Sequence, residues 1–203
     1  LPLRGKILNV ASAPADKMHA NQEINDLMEA LGCGIGPRYR EDDLRYEKVI
    51  IMTDADVDGA HIASLLMTFF FKEMPQLIEN GHLFIAQPPL YRLSQGGHTA
   101  YAMDDDHKDV LIEEEFSGRG KIEISRFKGL GEMPPAQLKE TAMNPETRTL
   151  LRVTLPLRHT DDEKKEAADT AELVDRLMGK KPELRLAFIQ THAASLEDDM
   201  IDV

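Results

Sequence analysis

Residues 48–59 read Lys48-Val49-Ile50-Ile51-Met52-Thr53-Asp54-Ala55-Asp56-Val57-Asp58-Gly59. The first five form a short, apolar, β-branched run, as expected of a strand buried on both faces. Three carboxylates then alternate through a loop. Behind them Ile62, Leu65, Leu66, Phe69 and Phe70 fall at i, i+3, i+4, i+7 and i+8, which marks one face of a helix. Strand, acidic loop and helix open a βαβ unit and put the loop outside the carboxyl end of the strand. Open α/β sheets bind their ligands there.

Three anions this close repel one another unless a cation neutralises them, and hard divalent cations with oxygen ligands are the natural candidates. Asp-x-Asp-x-Asp-Gly also opens an EF-hand calcium loop. That loop needs a bidentate carboxylate at its twelfth position, which here is Leu65, and a helix rather than a strand before it. Two readings remain open on the residues alone. One is a Mg²⁺ site with few protein ligands that keeps waters and meets a phosphate. The other is a solvated acidic turn, with Asp58 set favourably near a positive helix end.

Working outward, residues 6–10 read as a short strand, and Asn21 as the N-cap of a helix with Ile24, Leu27, Met28 and Leu31 at helical spacing. Gly32 ends that helix and opens a loop through Pro37. Strands are expected at 82–87 and, after Pro88-Pro89, at 90–93; strands alternating with helices in this order suggest βαβ units in a parallel sheet. Residues 104–115 read as an acidic helix, 121–125 as a strand, 126–132 as a basic, glycine-containing loop and 134–141 as a helix. After a boundary near Pro156 come a charged stretch at 161–168 and helices at 171–178 and 182–193. The expected organisation is an α/β domain over 1–156 and a mostly helical segment over 157–203.

Composition narrows the function. The chain has 203 residues, 42% of them hydrophobic, enough for a core, while a 5% aromatic content advertises no base-stacking platform for single strands. The formal net charge of −12 excludes whole-surface DNA binding, so any DNA contact must be local or metal-mediated. Arg126 and Lys128 lie in a compact basic stretch whose glycines allow close approach to phosphate, although a basic turn balancing the preceding acidic helix accounts for them too. The single cysteine, Cys33, excludes an internal disulfide and suits a reducing cytoplasm. No segment approaches the roughly 20 apolar residues of a membrane span.

The run Ile50-Ile51-Met52-Thr53-Asp54-Ala55-Asp56-Val57-Asp58-Gly59-Ala60-His61-Ile62 resembles the DxDxD segment of the TOPRIM domain in B-type subunits of bacterial type IIA topoisomerases. Leu1-Pro2-Leu3-Arg4-Gly5-Lys6-Ile7-Leu8-Asn9-Val10, Leu44-Arg45-Tyr46, Gln87-Pro88-Pro89-Leu90-Tyr91 and Arg126-Phe127-Lys128-Gly129-Leu130-Gly131-Glu132-Met133 are similar to further blocks, in the family's order. Leu177-Met178-Gly179-Lys180-Lys181 and Phe188-Ile189 resemble the family's C-terminal helices less specifically. Ala11-Ser12-Ala13, and the lack of a long insert, lean toward the topoisomerase IV branch rather than gyrase.

The resemblance implies a TOPRIM-type parallel sheet flanked by helices, with a helical C-terminal extension. It also implies Mg²⁺ as cofactor, with Asp54 and Asp56 as principal ligands and Asp58 in support, the three forming the catalytic acidic set. Double-stranded DNA and a tyrosine-bearing A-type subunit in an A2B2 assembly are the implied partners, in the cytoplasm at the nucleoid. Lys6, Asn9, His61 and, on a short local match, Arg185 fall at DNA-contacting positions. Their simpler readings are a surface lysine, a turn residue and a polar helix face for the first three. Arg4 and Glu23 match an inhibitor pocket. The family's Glu-Gly-Asp-Ser-Ala strand and its ATP-hydrolysing region have no counterpart here, so a fragment carrying half of the metal site, inactive alone, is expected; a non-catalytic module docking on DNA or the A-type subunit is the alternative.

Overall fold

A computed structural model of the chain describes residues 1–116, 118 and 120–193, which divide into two compact units. The first unit comprises Leu1–Arg45, Leu65–Asn80 and the chain from Thr154 onward; the second comprises Tyr46–Ser64 and Gly81–Val153.

The first unit opens with an irregular stretch in place of the strand expected at 6–10. Asn9 explains the difference. Its Oδ1 accepts from Ala11 N at 3.1 Å and its carbonyl accepts from Ser12 N and Ala13 N, so the backbone turns and offers no ladder. Helix α1 (Ala15–Ala20) leads to α2 (Gln22–Leu31), where Asn21 caps as its sequence position implies, its side chain accepting from Ile24 N at 3.0 Å. Gly32 closes α2 at φ 76°, a left-handed position that favours glycine. Helix α3 (Val57–Glu73) buries Leu65, Leu66, Phe69 and Phe70, the expected face, and its second half belongs to this unit together with α4 (Pro75–Glu79). Phe69 and Phe70 meet edge-on with centroids 5.4 Å apart.

The second unit holds two sheets. Strands β1 (Val49–Ile51) and β2 (Leu83–Gln87) pair in parallel, Ile50 opposite Phe84, as a βαβ crossover through α3 requires. The expectation of a parallel sheet holds only for that pair. Strand β3 (Tyr91–Gln95) turns back into β4 (His98–Ala102) through Gly96-Gly97, at φ 56° and 90°. A two-residue turn can join only antiparallel neighbours. Helix α5 (Asp105–Glu115) then returns to β5 (Glu123–Arg126), giving the antiparallel order β4-β3-β5. Tyr91, Leu93, Ala102, Leu111 and Phe116 bury one face of this sheet against α5. The helix expected at 134–141 forms as α6 (Pro135–Leu138) and runs on into a single wide turn at Lys139–Met143. A sixth strand, β6 (Thr149–Arg152), lies antiparallel on β2, so the sheet β1-β2-β6 is mixed.

Back in the first unit, the charged stretch and the helix expected at 171–178 form one 18-residue helix, α7 (Asp161–Met178). Thr160 and Glu163 form a reciprocal cap at its start: Glu163 N donates to Thr160 Oγ1 at 3.2 Å, and Thr160 N donates to Glu163 Oε2 at 2.9 Å. Helix α8 (Pro182–His192) follows. No helix among the described residues is long and apolar enough to cross a membrane.

Candidate metal and nucleic-acid site

The acidic loop occupies the carboxyl end of β1 and runs straight into α3. Asp56 stands at the N-cap position. Its Oδ1 accepts from Gly59 N at 2.6 Å, which satisfies one of the amides a helix start leaves unpaired, and its carbonyl takes the first helical bond, from Ala60 N at 2.9 Å. Asp54 is held differently. Its Oδ1 accepts from Leu130 N at 2.8 Å, across 76 positions of sequence. Its backbone lies against the first turn of α3, where a Cβ at Gly59 would sit 2.0 Å from the Asp54 carbonyl oxygen. Asp58 is exposed in the first turn of α3, near the positive end of the helix.

Among the described residues, no three acidic, histidine or cysteine side chains converge on one point. The alternating carboxylates are therefore not a closed cage. They offer two anchored carboxylates, Asp54 and Asp56, on an exposed loop. Hard oxygen donors in that number fit Mg²⁺, which takes one or two protein carboxylates and retains waters for a phosphate to replace.

The basic loop lies on the acidic one. Glu132 folds back so that Lys128 N donates to its Oε2 at 2.7 Å, which closes the 127–132 segment into a compact turn. Gly129 faces Asp54 so closely that a Cβ there would fall 2.9 Å from the Asp54 carboxyl carbon. The glycine thus leaves room for the Asp54 carboxylate. Arg126 ends β5 with its guanidinium 5.8 Å from the centre of the Tyr91 ring, and Lys108 Nζ lies 5.0 Å from the same ring. The Tyr91 hydroxyl donates to Asp105 Oδ1 at 3.0 Å. Lys108, and then Tyr91, hold the Asp105 carboxyl below its usual range, while Asp105 raises Lys108. His61 is exposed one turn into α3.

The remaining candidates belong to the first unit. Lys6 and Arg4 are exposed, and Glu23 is half-buried in the first turn of α2. Asn9 and Arg185 meet at the C-terminus of α7. Asn9 Nδ2 donates to Met178 O at 2.8 Å, and Arg185 Nη1 donates to Leu177 O at 3.2 Å and Gly179 O at 2.8 Å. Both therefore satisfy carbonyls that the helix end leaves open.

Residues 1–88 match the family described as Toprim domain, and residues 119–190 match the family described as DNA gyrase B subunit, carboxyl terminus. The chain is 65% identical over 190 residues to the B subunit of DNA topoisomerase 4 from Bartonella bacilliformis, an alignment covering 94% of this chain and 26% of that protein. It is 60% identical over 200 residues to the same subunit of Caulobacter vibrioides, covering 98% and 28%. The chain belongs to the B-subunit family of bacterial type IIA topoisomerases. Identity to the B subunit of DNA gyrase from Thermotoga maritima is lower, 47% over 198 residues, covering 98% of this chain and 29% of that one. Within the type IIA B-subunit family the chain therefore sides with topoisomerase IV. It spans about a quarter of the length of the curated relatives it matches.

For this topoisomerase B-subunit chain the sequence missed the residues that fix Asp54. Gly59, Gly129 and the Leu130 amide contact it. Gly59 sits inside the acidic motif, but a main-chain donor 76 positions away leaves no trace in local spacing.

Proposed function

We propose that this chain is the Mg²⁺-binding part of the DNA cleavage–religation core of topoisomerase IV, an ATP-dependent type II enzyme. In that role it works in an A2B2 assembly with a tyrosine-bearing A-type subunit and passes one duplex through another, for decatenation and relaxation. ATP is used by another region of the full subunit, and the enzyme acts on the nucleoid in the cytoplasm. The observation that carries this reading is the pair of carboxylates past β1, each with one oxygen anchored by a main-chain N–H.

Asp54 and Asp56 would hold the ion, with Asp58 supporting through water. Bound there, Mg²⁺ supplies charge stabilisation to the scissile phosphate and the leaving 3′ oxygen. The chain's own part is orientation. Leu130 N and Gly59 N fix one oxygen of each aspartate, so the carboxylates do not swing to solvent when charge arrives. His61, Arg126 and Lys128 present donors to phosphates on the same unit. Lys6, Asn9 and Arg185 are the DNA contacts of the other unit, and Arg4 and Glu23 the inhibitor contacts.

The test uses the full-length subunit with its A-type partner, as wild type and as Asp56→Asn. Asparagine is as good an N-cap as aspartate, so α3 keeps its start. Trapped double-strand cleavage should fall about 100-fold or more, the scale of losing one transition-state electrostatic contact, with ATP hydrolysis unchanged. Undiminished cleavage would reduce the acidic loop to a helix cap.

A further inference from the structure

Two contacts converge on Asp54 from a loop far away in sequence: the Leu130 amide on Oδ1, and the open Cα face of Gly129 beneath the carboxyl group. We infer that Gly129 and the Leu130 N–H are positioning elements for Asp54, so that the 127–132 turn sets the divalent-cation affinity of the site. The inference rests on the metal-binding role of Asp54 proposed above.

The need for glycine at 129 is a matter of space alone. Its φ of −164° is extended backbone that any residue adopts, so no strain excludes alanine. A Cβ would instead fall 2.9 Å from Asp54 Cγ, closer than real Cβ atoms come, and 3.0 Å from Oδ1 and 3.1 Å from Oδ2, tighter than nearly all such contacts. The carboxyl group would have to leave, and the Leu130 bond would go with it. The hold on Asp54 is closed from the other side, because its carbonyl abuts Gly59 and the backbone cannot follow the side chain. Glu132 fixes the turn by accepting from Lys128 N, so the turn does not simply yield. Gly131, two residues on, has nothing within 4 Å of its would-be Cβ and serves as the control.

The experiment reads Mg²⁺ binding by the full-length subunit directly, as the metal-dependent rise in melting temperature, and beside it the Mg²⁺ midpoint of cleavage in the assembled enzyme. Gly129→Ala should raise both midpoints about 10- to 100-fold, the usual effect of losing a group that orients a metal ligand, while maximal cleavage at saturating metal falls far less. Gly131→Ala should shift neither. In the Asp54→Asn background, Gly129→Ala should add nothing, because its effect passes through Asp54. Unchanged midpoints in Gly129→Ala, or effects that simply add, overturn the positioning role. If Asp54→Asn itself leaves the midpoints unchanged, the metal assignment fails along with it. If Asp54→Asn moves them and Gly129→Ala does not, only the positioning role fails. Should Gly129→Ala not fold, hydrogen exchange decides: the Leu130 amide should exchange faster in Asp54→Ala than in wild type, and equal rates overturn the proposal.

Discussion

Asp54 shows how a single position is specified by residues it does not adjoin. Glycine inside a helix usually costs about 0.5–1 kcal/mol against alanine, so Gly59→Ala in the first turn of α3 would ordinarily stabilise the chain. Here the added carbon would sit 2.0 Å from the Asp54 carbonyl oxygen, and the sign reverses. A loss of about 1–3 kcal/mol is expected, typical of an overpacked position, read as a lower urea midpoint at constant slope. A gain would mean that Asp54 does not lie against the helix start. The carboxylates themselves were legible, because alternation after a buried strand is a local pattern. Their anchors were not, since Leu130 N and Gly129 Cα are main-chain groups without any side-chain signature.

At the scale of elements, legibility followed local chemistry. Asn21 and Gly32 bracket α2 as written, because capping is decided within a few residues. The Gly96-Gly97 pair between short strands is a local signal of a tight hairpin, and that hairpin makes β3 and β4 antiparallel where alternating strands and helices alone suggest a parallel sheet. Strand β6 exposes three of its four residues and so shows no inside–outside alternation to read. The start of α7 combines both lessons: Thr160-x-x-Glu163 is a legible capping box, although the charged turns behind it hid the continuity of the helix. Thr160→Ala should cost about 1 kcal/mol, measured by chemical unfolding. The backbone N–H of Thr160 first, and that of His159 next, hold Glu163 below its usual pKa. A depressed carboxylate contributes fully above the ordinary glutamate range, and the contribution fades as pH falls through the lowered folded-state value. Glu163→Gln should therefore narrow its stability gap to wild type under acid and keep it at neutral pH. A gap independent of pH would contradict the cap.

For the whole molecule, a net charge of −12 disfavours a duplex over most of the surface, so binding should depend on individual lysines and arginines. In the full-length assembly, Lys128→Ala should weaken DNA binding to a similar degree across sequences and lower the slope of log affinity against log salt by about 1. An unchanged slope would remove Lys128 from the interface. Asn9 and Arg185 differ in kind, because both are spent on the end of α7, so alanine at either perturbs that junction before it reports on DNA. The α/β class was readable from one strand, one loop and one helix. The interleaving of the two units was not, because segments that pack together are separated in the chain. That interleaving sets an order of assembly during synthesis. The unit bearing the acidic loop begins at Tyr46 but has its last residue, Val153, well before the ribosome delivers α7 and α8. The other unit, which includes Leu1–Arg45 and the chain from Thr154 onward, must wait for them. The half of the chain that starts second can finish first, with its carboxylates already anchored while the earlier half is still open.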